Sequence, residues 1–145
     1  MPSGRSNLEN LARAKRLNAE APDAREIANL VSAADAYLRD ARNAGNSPAS
    51  RFALAYNAAH SLALAALRAS GYRPSSAGHR KIVFQTLEAT AGAPRELWLA
   101  LDQYHDRRNK VEYEGVPPAS GTEAGDLVKL SGELQALVLK RVKRR

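Results

Sequence analysis

Several side chains between residues 104 and 113 could bind and process a phosphodiester. Arg108 is followed directly by Asn109, and Tyr113 comes five residues after Arg108. An arginine suits phosphate because its planar guanidinium donates parallel hydrogen bonds to the phosphate oxygens. His105 lies three residues before Arg108, and a histidine suits proton transfer because its unperturbed pKa is about 6.5. We therefore take four residues as candidates for catalysis: His105, Arg108, Asn109 and Tyr113.

A helix that ends near Gly115 would hold these residues on two neighbouring faces. Gly115, with Val-Pro-Pro after it, is typical of a helix end. Because residues three and four apart lie on one face of a helix, Asn109 and Tyr113 share a face. Arg108 lies on a neighbouring face with Glu112, whose carboxylate could pair with the Arg108 guanidinium. A solvated helix end paired in this way is the alternative interpretation of Arg108 and Asn109.

The tyrosine at position 113 leaves it undecided which residue of this site would transfer protons. Its unperturbed pKa is about 10, so Tyr113 would be a poor base at neutral pH, although it could donate a proton or stack on a nucleobase. Loss of a matched acid–base group typically lowers a rate by roughly 10²–10⁴-fold. His105 is the nearby residue that could restore proton transfer. The simpler interpretation of His105 is a structural histidine that hydrogen-bonds to Asp102 or Asp106.

Three further basic residues are candidates for contacts with a nucleic acid. Arg107 and Lys110 flank the Arg-Asn pair. Arg80 follows His79 at a predicted helix start, where an anion could bind the free backbone N–H groups. An ordinary exposed helix start is the simpler interpretation there. His60, on an alanine-rich helix, is expected to pack in the core or in an interface.

The charge of the chain permits attraction to RNA. Its net charge is +7 and its pI about 10.1, which favours association with polyanions. Five of the last six residues, 140–145, are basic. We treat this segment as a basic C-terminal tail, which is either a solvated helix end or a nucleic-acid contact.

The composition excludes cysteine chemistry, and neither a metal site nor a membrane span is expected from it. The chain has no cysteine, which excludes disulfides, thiolate metal sites and cysteine nucleophiles. Its three histidines are far apart in sequence, so neither a metal site nor another cofactor is expected. No apolar stretch of about 18 residues is present, so no membrane span is expected. The first ten residues have no apolar signal core, and we expect a cytoplasmic protein.

Glycine, proline and polar residues divide the chain into helical segments. A short helix is predicted near residues 7–17, and a longer amphipathic helix follows over residues 23–44, before Gly45. Ser47 and Pro48 are typical of the start of a third helix. This third helix is rich in alanine and apolar over most of its circumference, so we expect it to be central and closely packed.

Three further helices complete the predicted fold. Two cover residues 79–92 and 94–115, and the last follows a connection at 114–125 that we expect to be the most mobile part of the chain. No segment alternates with period two for long enough to predict a strand. We therefore predict one all-α domain over residues 1–145: an up-and-down antiparallel four-helix bundle with one or two additional helices.

The helical layout and the residues around Arg108 together resemble the HEPN superfamily, whose members are small α-helical bundles. The resemblance rests on the antiparallel layout of nearly the whole chain, on the alanine-rich helix, and on RNKVEY near the end of a late helix. The family motif is an arginine, a polar residue that is often asparagine, three variable residues and a histidine. Arg108 and Asn109 match its first two positions, whereas Tyr113 takes the place of the histidine. The ending is similar to that of a bacterial subgroup.

The resemblance implies a function in RNA metabolism. Many HEPN proteins are metal-independent ribonucleases, often toxins of toxin–antitoxin or defence modules. In those members the motif is presented at a dimer interface, so the resemblance implies a homodimer with a composite basic groove. The expected function is therefore RNA binding, with Arg108 on phosphate, and metal-independent RNA cleavage is its enzymatic form. A cognate antitoxin or a nucleotidyltransferase is the implied partner.

Two alternatives to this function stay open at the level of the sequence. Some HEPN proteins bind nucleotides or RNA without cleaving, so the chain could be a non-catalytic helical interaction or nucleotide-binding module that works with a partner protein. The second alternative, a DNA-binding regulator, is less favoured because no helix-turn-helix with a base-reading helix stands out.

Overall fold

The computed structural model describes residues 4–75 and 81–143, and nearly all of their regular structure is helical. The predicted all-α fold is thereby confirmed. Two three-residue strands, β1 (Leu17–Ala19) and β2 (Tyr72–Pro74), pair antiparallel. The helices in the described ranges are α1 (Gly4–Arg13), α2 (Ala24–Ala41), α3 (Pro48–Ala69), α4 (Ile82–Gln85), α5 (Leu87–Ala91), α6 (Arg95–Tyr113) and α7 (Gly121–Lys143).

The four longest helices form two antiparallel pairs. In the first pair, Arg51 near the start of α3 donates its Nε–H to the carbonyl of Ala41 at the end of α2, at 2.8 Å. Arg68, near the end of α3, donates to Glu26, near the start of α2. α2 and α3 therefore run in opposite directions over their full lengths.

The second pair consists of α6 and α7. The Tyr104 hydroxyl donates to Asp126 Oδ2 at 2.7 Å. Arg107, one turn later in α6, donates to Glu123, one turn earlier in α7. The two antiparallel pairs, in this chain order, agree with the predicted up-and-down bundle.

The alanine-rich helix α3 lies between α2 and α7. Ala59, Ala63 and Ala66 are fully or almost fully buried. Because alanine side chains are short, the backbones of neighbouring helices can approach α3 closely. The Ser131 hydroxyl of α7 donates to the carbonyl of Ala55 in α3 at 3.0 Å. The prediction that this helix is central and closely packed is confirmed.

The short strands were not predicted. The helix expected to reach Leu17 ends at Arg13, and Lys15 has a positive φ of 63°. Leu17, only 1% exposed, then begins β1 and pairs with Pro74. A three-residue strand is too short to show a recognisable alternation of apolar and polar residues, so the expectation that no strand exists was wrong for these residues.

The helix predicted over residues 79–92 is also interrupted. Its described part consists of α4 and α5, which meet at Thr86. The Thr86 hydroxyl donates to the carbonyls of Ile82 at 2.9 Å and Val83 at 3.3 Å. Such back-bonding competes with the helical ladder and often bends a helix. The large apolar residues of this region, Ile82, Val83, Phe84 and Leu87, are buried.

The predicted basic tail is partly structural. Residues 140–143 belong to α7, and residues 144 and 145 lie outside the described ranges. Arg141 donates to the carbonyls of Thr90 at 3.0 Å and Ala89 at 3.3 Å, so its side chain fastens α7 to α5. Lys140 and Lys143 lie in the last turn of α7, where cations complement the helix dipole. No helix in the described ranges is long and apolar enough to span a membrane.

Candidate functional site

Arg108 is held in a defined position on the inner side of α6. Its Cζ lies 5.0 Å from the centre of the Tyr56 ring of α3, a cation–π contact. Its Nη1 donates to Asn109 Oδ1 at 3.3 Å, and its Nε lies 3.3 Å from Glu112 Oε1. The side chain is 17% exposed. The predicted pairing of Arg108 with Glu112 is confirmed, and the guanidinium is both partly shielded and oriented.

His105 is buried beneath Arg108 and hydrogen-bonded through both ring nitrogens. Its Nδ1 lies 2.8 Å from the Tyr56 hydroxyl, and its Nε2 lies 3.3 Å from Asn109 Nδ2. Because an amide nitrogen only donates, Nε2 accepts, and the ring proton lies on Nδ1, facing Tyr56. The residue is 5% exposed. Its hydrogen bonds go to Tyr56 and Asn109, and not to Asp102 or Asp106 as the simpler interpretation of the sequence had it.

Burial lowers the pKa of His105 below its ordinary value of 6.5, against the opposing effect of the nearby Asp106 and Asp102 carboxylates. The folded protein therefore favours a neutral imidazole. Such a ring can accept a proton only at a cost, and it is shielded from bulk water.

We expect this lowered pKa to make stability fall in mild acid. The unfolded chain binds a proton at His105 near pH 6.5, whereas the folded chain does not, so the free energy of unfolding should decrease as the pH falls from about 6.5 towards the folded pKa. The Cε1–H resonance of His105, followed by NMR across this range, should titrate with a midpoint below 6.5. A midpoint at or above 6.5 would contradict a buried, neutral His105. Tyr56→Phe, which removes only the hydroxyl partner of His105, is the matched variant for comparison.

Three of the four candidate catalytic residues thus form one connected cluster. Arg108 contacts Asn109, and Asn109 contacts His105. Tyr113 is not part of it, because it lies at the last residue of α6 and is 74% exposed. The cluster includes Tyr56 of α3 instead, which was not among the candidate site residues. Its signal was a hydroxyl-bearing side chain on the buried face of an otherwise alanine-rich helix.

Arg107 is engaged in the connection between α6 and α7. Its Nε donates to Glu123 Oε2 at 2.8 Å and its Nη2 to Glu123 Oε1 at 3.2 Å, and Nη2 also lies 3.4 Å from the Pro118 carbonyl. Glu123 and Ser120 form a reciprocal capping box at the start of α7. The Arg107 hydrogen bond, aided by the Ser120 backbone, lowers the pKa of Glu123 to about 2. Arg107 therefore anchors the connection, and α7 begins at Gly121, earlier than predicted.

The other predicted nucleic-acid contacts are only partly described. Lys110 is exposed on α6, near Arg108 in sequence. Arg80 and His79 lie outside the described residues. The neighbouring Lys81 contacts α6: its Nζ lies 2.9 Å from Asp106 Oδ2 and 3.4 Å from Asp102 Oδ2. Burial raises the pKa of Asp102, and Lys81 opposes that effect.

A small pocket opens beside Arg108, between α3, α6 and the connection to α7. Its volume is about 160 Å³, below the roughly 300–1,000 Å³ typical of small-molecule sites. It can therefore take only a small group. Most of its lining is apolar, and its polar groups belong to Asn57, Arg108 and Glu112; the apolar lining is Ala49, Phe52, Ala53, Tyr56, Val111, Pro118 and Ala119.

Within residues 4–75 and 81–143, no group of three or more His, Cys, Asp or Glu side chains is arranged to hold a metal ion. Comparison of the chain with protein-family models, with curated proteins and with solved structures gave no match.

Proposed function

We propose that this chain is a HEPN-like RNA-binding protein of the bacterial cytoplasm, in which Arg108 contacts a phosphate. The observation that carries the proposal is the fixed guanidinium of Arg108 at the wall of a pocket, between Tyr56, Asn109 and Glu112. An oriented guanidinium loses little further freedom when it binds a phosphate oxygen. The net charge of +7 supports the same ligand class.

Binding is favoured over cleavage by the state of the proton-transfer residues. His105 is 5% exposed and its imidazole is held neutral by burial, while Tyr113 lies outside the cluster. Cleavage needs a group that can reach the 2′-hydroxyl or the leaving oxygen. Metal-independent ribonuclease activity is the second candidate, and the contact chain from Arg108 through Asn109 to His105 favours it. It would require His105 to become accessible in the RNA complex.

The proposal includes a protein partner. A homodimer would bring two Arg108 pockets into one basic groove, as the family resemblance implies, in the setting of a toxin–antitoxin or defence module. A cognate antitoxin or a nucleotidyltransferase is the proposed second partner. If the chain binds such a protein but no RNA, it is instead a non-catalytic interaction or nucleotide-binding module.

RNA binding is tested by the salt dependence of affinity for a fluorescent single-stranded RNA. Arg108→Ala should weaken binding about tenfold and reduce the slope of log K against log salt by about one, because one phosphate contact is lost. Arg39→Ala is the matched control: Arg39 lies on α2, is paired with Asp35 and is 74% exposed. Equal effects of the two substitutions would remove Arg108 from the site.

Cleavage is tested separately, on the same RNA in the presence of EDTA. Wild type, Arg108→Ala and His105→Ala are incubated with the RNA, and the products are resolved on a gel. If the wild type cleaves and both variants do not, the chain is a ribonuclease that uses this cluster. If the wild type binds RNA and leaves it intact, the binding function stands alone.

A further inference from the structure

The pocket beside Arg108 has a composition that differs from that of a phosphate site. Its lining is mostly apolar, and it contains a phenyl ring, Phe52, whose edge-to-face contact with Tyr104 fixes its orientation. Pro118 and Ala119 also line the pocket, and the Pro118 carbonyl accepts from Arg107 Nη2 at 3.4 Å. A phosphate is strongly hydrated and gains nothing from apolar walls, whereas a flat aromatic base does.

The polar groups of the pocket could hydrogen-bond to the edge of such a base. No described residue hydrogen-bonds to the side-chain amide of Asn57, which can both donate and accept. Glu112 Oε1 faces Arg108 Nε at 3.3 Å, and no described residue donates a hydrogen bond to Oε2. A carboxylate oxygen accepts hydrogen bonds and cannot donate them. The pocket therefore offers an acceptor at Glu112 and an adaptable amide at Asn57.

From these observations we infer that the pocket holds one unstacked nucleobase that carries an amino group. The inference rests on the proposed function and specifies its substrate: the phosphate lies on Arg108 and the neighbouring base enters the pocket. Adenine, cytosine and guanine have exocyclic amino groups that can donate to Glu112, whereas uracil has a carbonyl oxygen in place of the cytosine amino group and only one donor, its N3–H, between two carbonyls. The site should consequently discriminate against uracil.

The test compares short single-stranded oligonucleotides of equal length made only of A, C or U. Wild-type protein should bind the A and C oligonucleotides about tenfold more tightly than the U oligonucleotide, the difference that one charge-assisted hydrogen bond typically makes. Glu112→Gln should abolish this preference, because an amide can donate to a uracil carbonyl. Glu114→Gln removes the same charge two residues later, does not line the pocket, and should leave the preference unchanged.

A second variant fills the pocket without touching Glu112. Ala53 is exposed on α3 and lines the pocket, so Ala53→Leu should fold normally, as circular dichroism would verify. It should lose the base preference and keep the salt dependence that Arg108 contributes. Equal wild-type affinity for all three oligonucleotides, or a preference that survives both Glu112→Gln and Ala53→Leu, would overturn the inference.

Free nucleotides distinguish this inference from the proposed function. The side-chain amide resonances of Asn57 are followed by NMR during titration with AMP, CMP and UMP. If AMP and CMP shift these resonances and UMP does not, while no oligonucleotide binds, the pocket takes a free nucleotide: the base preference stands and the RNA function fails. If RNA binds without any base preference, the function stands and the base pocket fails. If neither nucleotides nor RNA bind, both are refuted.

Discussion

Replacement of Arg68 by alanine is expected to lower the free energy of unfolding by about 3–5 kcal/mol. Arg68 is completely buried in α3. It donates to the carbonyls of Glu20 at 3.0 Å, Ala21 at 2.8 Å and Tyr72 at 3.2 Å, and to the Glu26 carboxylate. One guanidinium thus joins α3 to the start of α2 and to β2. Its removal leaves these carbonyls without their donor and creates a cavity.

Most of the expected loss in the free energy of unfolding comes from buried carbonyls left without a hydrogen-bond donor. Less of it comes from a carboxylate left without a counterion. Glu26 would keep an ion pair with Arg73, whose Nη2 lies 2.6 Å from Glu26 Oε2. Arg68→Met, which fills most of the space without donating, should therefore recover only the packing part of the loss. Urea denaturation followed by circular dichroism measures each variant, with exposed Arg39→Ala as a control expected to stay within about 0.5 kcal/mol. A loss below about 1 kcal/mol for Arg68→Ala would show that the network contributes little.

The second large effect is expected from Ala63→Leu. Ala63 is fully buried in α3, on the helix that lies between α2 and α7. A larger side chain there must displace one of these helices or adopt a strained rotamer, which typically costs about 1–3 kcal/mol. Leucine is nearly as good a helix former as alanine, so helix propensity does not account for such a loss.

The control for Ala63→Leu is the same substitution at an exposed alanine. Ala36 lies on α2 and is exposed, so Ala36→Leu should change the free energy of unfolding by no more than about 0.5 kcal/mol. Thermal and urea unfolding of both variants would measure the difference. Equal stability of the two variants would mean that α3 is packed loosely enough to accept a leucine at position 63. That would contradict the close packing of α3 against α2 and α7.

The local features of the chain were predictable because they depend on residues close together in sequence. The periodicity of apolar residues predicted the long helices and the burial of the alanine-rich face of α3. The pairing of Arg108 with Glu112 followed from their spacing of four residues on one helix. The break between α4 and α5 was not predicted, because apolar periodicity does not show that the Thr86 hydroxyl bonds to a backbone carbonyl one turn earlier.

The candidate site, in contrast, depends on contacts between distant residues. Tyr56 and His105, which meet in this site, are 49 positions apart in the sequence. A helical pattern says which residues share a face but not which face of another helix they meet, since that depends on the rotation and crossing of packed helices. The sequence by itself therefore determined an all-α chain with a basic, arginine-containing segment at the end of α6. Only the tertiary structure decided that His105 is buried against Tyr56, that Arg107 anchors the connection to α7, and that Tyr113 lies outside the cluster.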